Sequence, residues 1–109
     1  MTILARLDAL ADPGAIVVEY EDGAGVRRSL ILTRAGDHVA AFRNVCPHAG
    51  YPLQRADGRI VVQEARYLVC MAHGASFTLT DGACAGGPCN GDGLERVGIE
   101  VAQGMILLR

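Results

Sequence analysis

The stretch CPHAG, from Cys46 to Gly50, places a cysteine two residues before a histidine and ends on a glycine. A related stretch, CMAHG, runs from Cys70 to Gly74. The 109-residue chain has only four cysteines and three histidines, and these two segments hold two of each. Thiolate and imidazole together suit zinc or an iron–sulfur cluster better than calcium or magnesium. We therefore expect the two segments to form one metal site.

The sequence around these segments is typical of an all-β protein. Fourteen glycines and four prolines divide the chain into short segments rich in Val, Ile, Leu and Thr, which predicts many short strands. A turn is expected at Asp22 to Gly25 and another at Asp81-Gly82. The predicted strands cover residues 15–21, 26–33, 38–45, 56–62, 65–69 and 76–80, with two more around Gly104 in 97–108.

One segment near the N-terminus has a helical pattern. In ILARLDALA, residues 3–11, Leu4, Leu7 and Leu10 recur at a helical interval. Nine residues would form only a marginal helix without packing partners. No repeat, low-complexity segment or linker divides the chain, so we expect a single domain over residues 1–109.

Composition and charge exclude several classes of function. The formal charge is −2 and the ten Lys and Arg residues are scattered, which argues against nucleic-acid binding. No apolar run reaches the ~18 residues that a membrane-spanning helix needs. Arg6, Asp8 and Asp12 interrupt the segment where a signal peptide would be apolar. The cytoplasm is the expected location, and disulfides are rare there.

The order of the candidate ligands distinguishes between metals. A common zinc finger has two cysteines followed by two histidines on a helix. Here the order is Cys46, His48, Cys70, His73, and neither pair lies on a helical segment. Each loop therefore supplies one thiolate and one imidazole, which suits a two-iron cluster with both cysteines on one iron and both histidines on the other.

The two motifs together resemble the signature of the Rieske iron–sulfur family. The resemblance continues through Leu53, the TDG turn at residues 80–82 and the GGPC loop at residues 86–89, and covers nearly the whole chain. It implies one Rieske-type [2Fe-2S] cluster held by four residues. The implied cysteine ligands are Cys46 and Cys70, and the implied histidine ligands are His48 and His73.

The same resemblance implies an architecture. The family fold is an antiparallel β-sandwich with an inserted small cluster-binding subdomain, here expected at residues 45–89. Gly86, Gly87 and Pro88 resemble the family's proline loop, which covers one side of the cluster.

Departures from the family pattern indicate which kind of member this is. Respiratory and photosynthetic members have a second cysteine in each loop, joined by a disulfide, whereas the matching positions here are Tyr51 and Ala72. Those members also have a Ser and a Tyr whose hydroxyls donate hydrogen bonds to cluster sulfur. The matching positions are Ala75 and Phe77, and Ser76 between them should point to the other face. We therefore expect a low reduction potential.

The remaining two cysteines are expected to play no part in the site. The four ligand positions are already filled, so Cys84 is interpreted as a buried thiol and Cys89 as a small residue of the proline loop. A disulfide between them is geometrically possible, but the expected compartment argues against it.

Taken with the resemblance, these features indicate a ferredoxin-type electron carrier without a catalytic site of its own. Its expected partners are a flavin-dependent reductase and a terminal oxygenase or other redox enzyme, which dock where the cluster lies. Two alternatives are a small Rieske-like subunit of a nitrite reductase-type complex and a Cys2His2 zinc-stabilised binding module. Colour distinguishes the last from the others, because a zinc protein is colourless and an iron–sulfur protein is red-brown.

Overall fold

A computed structural model describes residues 2–47, 50–55, 57–70, 74–87 and 92–109. These residues form eleven β-strands and one short 3-10 helix, and every strand pairing is antiparallel. The predicted all-β fold class is confirmed. Within the described ranges, no helix is both long enough and apolar enough to cross a membrane.

The strands form three sheets. In chain order they are β1 (Thr2–Arg6), β2 (Gly14–Glu21), β3 (Arg27–Ala35), β4 (His38–Arg43), β5 (Val61–Gln63), β6 (Tyr67–Val69), β7 (Ser76–Thr78), β8 (Cys84–Gly86), β9 (Arg96–Val97), β10 (Ile99–Ala102) and β11 (Met105–Leu108). The terminal sheet has the order β1-β11-β10 and the central sheet β2-β3-β4-β9. The third, loop-bearing sheet has the order β5-β6-β7-β8.

The central sheet is buried on both faces. Its strand β3 contains four consecutive buried residues at 30–33, as expected for a strand covered on both sides. Ile31 lies opposite Phe42 on β4, and both pack in a core shared with the loop-bearing sheet. Leu32 lies opposite Ala41, and both pack in a second core with Ile106 of the terminal sheet. The central sheet therefore positions the loop-bearing sheet.

The loop-bearing sheet lies inside residues 45–89, where the resemblance implies an inserted subdomain. Among the described residues, two side chains of the central sheet hydrogen-bond the segment that follows β7. The buried hydroxyl of Thr33 donates to the Leu79 carbonyl at 2.6 Å, and His38 Nε2 lies 2.8 Å from the Thr80 carbonyl oxygen. Because its core is continuous with that of the central sheet, the loop-bearing sheet does not stand alone.

The helix predicted for residues 3–11 is wrong. Its first half is β1, which pairs with β11 and has an irregularity between Ile3 and Ala5, and only Leu7–Ala9 form a 3-10 turn. Leu4, Leu7 and Leu10 do face the core between the terminal and central sheets. Strand pairing with the C-terminal segment therefore overrides a helical spacing that is too short to stabilise a helix alone.

The turns predicted at Asp22 and at Asp81 are both present. The Asp22 carboxylate accepts the amides of Ala24 and Val26, and the Val26 bond, with help from Arg28, lowers the pKa of Asp22. The Thr78 hydroxyl donates to the Asp81 carboxylate and lowers the pKa of Asp81, with a smaller contribution from the Ala83 amide.

The turn after Asp81 packs directly on the central sheet. Gly82 is buried with φ +72°, and a Cβ added there would lie 2.7 Å from Cε1 of Phe42 and 3.2 Å from Cβ of Leu94. Only glycine satisfies both the left-handed backbone and this close contact. Gly82 therefore allows this turn to pack closely against the central sheet.

Gly82→Ala should lower the free energy of unfolding by about 2–4 kcal/mol, from backbone strain and overpacking together. Two controls separate these causes in urea unfolding experiments. Gly25→Ala has a similar φ of +78° but open space, so it should show strain alone. Gly23→Ala has open space and no left-handed backbone, and should be nearly neutral. Equal losses at Gly82 and Gly25 would mean that the contact with Phe42 is unimportant.

Candidate metal centre

The first candidate ligand loop begins where β4 has ended. Cys46 donates its backbone N–H to the Tyr51 carbonyl at 2.7 Å, and the Gly50 N–H donates to the Cys46 carbonyl at 2.8 Å. Gly50 has φ +74°, a conformation that L-residues adopt only at a cost. The cysteine thus stands at the start of a closed turn whose backbone bonds are satisfied locally.

The second candidate loop repeats this arrangement after β6. Cys70 donates its N–H to the Ala75 carbonyl at 2.8 Å, and the Gly74 N–H donates to the Cys70 carbonyl at 2.8 Å. Gly74 also has φ +74°. The two cysteines therefore begin turns with the same spacing, the same two hydrogen bonds and the same left-handed glycine.

The two cysteines are brought into one buried cluster. Cys46 and Cys70 are both 0% exposed, carry thiols rather than disulfides, and share a core with Leu53, Leu68 and Phe77. The other two predicted ligands, at positions 48 and 73, lie outside the described residues. The part of the chain that is described contains no group of three or more potential metal ligands.

The donor set fits a cluster with two cysteine ligands. Cys46 and Cys70 lie in one buried cluster, each at the head of a turn with the same two hydrogen bonds, and could supply two thiolate ligands. A buried thiol alone is only a small hydrophobe. Packing alone does not require both cysteines to begin the same turn, so the repetition favours a shared role as ligands.

The residues that follow the second loop lack hydroxyl groups on the core side. Ala75 and Phe77 are fully buried, whereas Ser76 between them is half-buried. This alternation agrees with the expectation that Ser76 points to the other face of β7. Ala75 and Phe77 belong to the same buried cluster as the two cysteines.

The glycines of the GGPC segment contact the second loop. Gly86 on β8 lies opposite Ser76 on β7. A Cβ added to Gly87 would lie 2.8 Å from the Gly74 carbonyl oxygen and 2.9 Å from Cα of Ala75. The backbone of this segment therefore packs directly on the loop of Cys70, while residues 88 and 89 lie outside the described ranges.

The interpretation of Cys84 as a buried thiol is wrong. Cys84 is half-buried on β8, opposite Phe77, and is disulfide-bonded. The interpretation rested on the filled ligand positions and on the expected compartment, whereas local geometry decides whether two cysteines can join.

Sequence reasoning missed Asn44, which is 4% exposed and lies two residues before Cys46. Its Nδ2 donates to Ser29 Oγ at 3.1 Å and to Gln54 Oε1, and its Oδ1 accepts the Leu53 N–H at 2.9 Å. Asn44 therefore connects Leu53 and Gln54, which follow the first loop, to β3. An amide side chain two residues before a candidate ligand cysteine was the available signal, but the segment was interpreted as the end of a strand.

The geometry defines a β-protein with two matched cysteine loops at one buried site. The sequence matches the Rieske [2Fe-2S] domain model over residues 11–102. The chain belongs to the Rieske [2Fe-2S] domain family. A comparison with curated proteins gave no match.

Solved structures share the fold. The terminal oxygenase of carbazole 1,9a-dioxygenase from Nocardioides aromaticivorans IC177 is 26% identical with a TM-score of 0.75, covering 97% of this chain but only 29% of the oxygenase chain. The ferredoxin of carbazole 1,9a-dioxygenase from the same strain is 24% identical with a TM-score of 0.71, covering 98% and 94%.

A chain in the complex of reduced oxygenase and oxidised ferredoxin in carbazole 1,9a-dioxygenase is 20% identical with a TM-score of 0.73. That match covers 98% of this chain and 90% of the other. The fold thus occurs both as part of an oxygenase and in a chain of nearly the same length.

Asn44→Ala should lower the free energy of unfolding by about 1–3 kcal/mol, because it leaves the Leu53 N–H buried without its acceptor. Hydrogen exchange should show the loss at the amides of Leu53 and Cys46. Ser29→Ala is the matched control, since it removes one contact of Asn44 and keeps the Leu53 bond. If both variants exchanged equally fast at Leu53, Asn44 would not hold the first loop.

Proposed function

We propose that this chain is a ferredoxin-type electron carrier in which Cys46, His48, Cys70 and His73 hold one Rieske-type [2Fe-2S] cluster. The observation that carries this proposal is the pair of matched turns that place Cys46 and Cys70 in one buried cluster. Membership of the family supports the cluster over the zinc alternative. When bound, such a cluster accepts and releases one electron at a time.

The surrounding residues would keep water away from the thiolates and fix their positions. Leu53 and Phe77 are fully buried and pack with both cysteines. Gly87 places the backbone of the GGPC segment against the second loop. The loops are closed by their own hydrogen bonds, so the chain itself would hold the ligands before and after electron transfer.

The missing hydroxyl groups would set a low potential. Reduction adds negative charge to the cluster, and hydrogen-bond donors aimed at sulfur favour the charged state. Ala75 and Phe77 have no side-chain donor to offer. We expect the potential in the lower part of the family range of roughly −150 to +300 mV.

The proposed partners are a flavin-dependent reductase as donor and a terminal oxygenase or other redox enzyme as acceptor. Support for an oxygenase comes from the similarity to the carbazole dioxygenase ferredoxin and to the oxygenase–ferredoxin complex. In this proposal the chain carries electrons and has no reaction of its own. The cytoplasm remains a prediction of the sequence.

His73→Ala should abolish the red-brown colour and the bound iron, because one iron would lose half of its protein ligands. His38→Ala is the matched control. His38 is exposed and bonds the Thr80 carbonyl, so its loss should leave the iron content unchanged. Iron analysis and visible absorption of the purified variants check this prediction. Retention of native colour in His73→Ala would remove His73 from the ligand set.

Ala75→Ser should raise the reduction potential by on the order of 50 mV, if its hydroxyl donates to cluster sulfur and that bond strengthens on reduction by ~1 kcal/mol. Protein-film voltammetry near neutral pH measures the shift. Ser76→Ala is the control, since Ser76 lies on the other face of β7 and its removal should leave the potential unchanged. A fall in potential in Ser76→Ala, with no rise in Ala75→Ser, would contradict the assignment of the core face.

A further inference from the structure

A disulfide lies next to the candidate metal centre. Cys84 is disulfide-bonded and packs against the buried cluster that contains Cys46 and Cys70. It lies opposite Phe77 on β7, and the Phe77 side chain is fully buried in the same cluster. A covalent bond that a reductant can break is therefore placed against the core of the proposed site.

The strand that carries Cys84 is weakly held by its backbone. β8 is three residues long and lies at the edge of the loop-bearing sheet. Within the described residues it pairs with β7 at two positions, Ser76 with Gly86 and Phe77 with Cys84, with an irregularity between them. Ala85 and Gly86 are exposed. Segments with few buried contacts open easily, so a covalent bond at Cys84 has a large share in holding β8 in place.

β8 leads directly into a backbone contact with the second candidate loop. Gly87 follows β8, and a Cβ added to it would lie 2.8 Å from the Gly74 carbonyl oxygen. Gly74 in turn closes the loop by donating its N–H to the Cys70 carbonyl. Because only two residues separate Cys84 from Gly87, a shift of β8 would be passed to this loop.

The predicted compartment bears on what this disulfide does. The sequence predicts a cytoplasmic location, where disulfides are rare and those that form are usually transient, catalytic or redox-sensing. Accessible disulfides are also reduced more readily than buried structural ones. Cys84 is half-buried on an otherwise exposed strand, so a reductant needs only a local opening of β8 to reach its sulfur.

We propose that the Cys84 disulfide is a redox switch: while the bond is intact, β8 keeps the second candidate loop closed, and reduction loosens that loop. A dithiol reductant would break the sulfur–sulfur bond and supply two electrons and two protons, leaving two thiols and becoming a disulfide itself. The consequence for electron transfer rests on the proposed function, because loosening would weaken the hold on the Cys70 side of the proposed cluster.

Hydrogen exchange of the cluster-containing protein tests the switch, read by mass spectrometry before and after treatment with dithiothreitol. A thiol assay confirms that the disulfide has been reduced. Exchange at the Cys70 and Gly74 amides should then rise on the order of tenfold, a modest part of what a disulfide contributes. The Cys46 and Gly50 amides should keep their rates, because Asn44 connects the first loop to β3 rather than to β8.

Two variants separate the disulfide from other effects of the reductant. Cys84→Ser cannot form the bond, so its second loop should exchange at the faster rate before treatment, and dithiothreitol should change nothing further. Ala85→Ser is the matched control. It adds the same hydroxyl to an exposed neighbour on β8 and keeps the bond, so it should respond to dithiothreitol as the wild type does.

The switch would be overturned if dithiothreitol left the disulfide intact in the folded protein, or reduced it without faster exchange in the second loop. Equal acceleration of both loops would mean a general loosening, and acceleration in Cys84→Ser would mean that the reductant acts elsewhere; either result also contradicts the switch. The wild-type comparison stands without any variant, so it decides the question even if Cys84→Ser fails to fold.

The result is separate from the cluster assignment. A red-brown protein whose exchange did not respond to reduction would overturn the switch and leave the carrier function standing. A colourless protein without sulfide would overturn the proposed function, while its exchange rates would still report on the disulfide.

Discussion

Both candidate ligand loops depend on the same hydrogen bond, from the backbone N–H of a buried cysteine to a carbonyl five residues further along the chain. A loop that carries a buried thiol must satisfy its own polar backbone, since little water reaches it. The glycine four residues after each cysteine makes this possible. It adopts a left-handed conformation and donates its N–H to the cysteine carbonyl. Without that closure, neither thiol would have a fixed direction.

The two cysteines must also lie in one place, and the central sheet contributes to the cluster that holds them. The face of the central sheet toward the loop-bearing sheet supplies Ile31 and Phe42 to the core that contains both cysteines. Gly82 lets the turn after β7 approach Phe42, and Asn44 ties the first loop back to β3.

Much of the architecture followed from local chemistry. Hairpins at Asp22 and Asp81 were predictable because an aspartate accepts amides two residues on and a glycine supplies the turn. The N-terminal leucines led to a wrong helix prediction because their spacing fits a helix. The strand that pairs with this segment, β11, lies about a hundred residues away in the sequence. The disulfide of Cys84 and the role of Asn44 depend on three-dimensional neighbours that the spacing of residues does not show. Cys46 and Cys70 were expected to come together and do share one buried cluster, whereas the ligand roles of these cysteines and of the two histidines remain predictions.

The central claim is that two thiolates and two imidazoles hold a two-iron, two-sulfide cluster. Quantitative iron and acid-labile sulfide analysis of the purified protein tests it most directly, because it distinguishes this cluster from zinc and from an empty pair of thiols. The account predicts about two irons and two sulfides per chain. One zinc per chain with no sulfide would contradict it, and the matched loops would then be a structural zinc site.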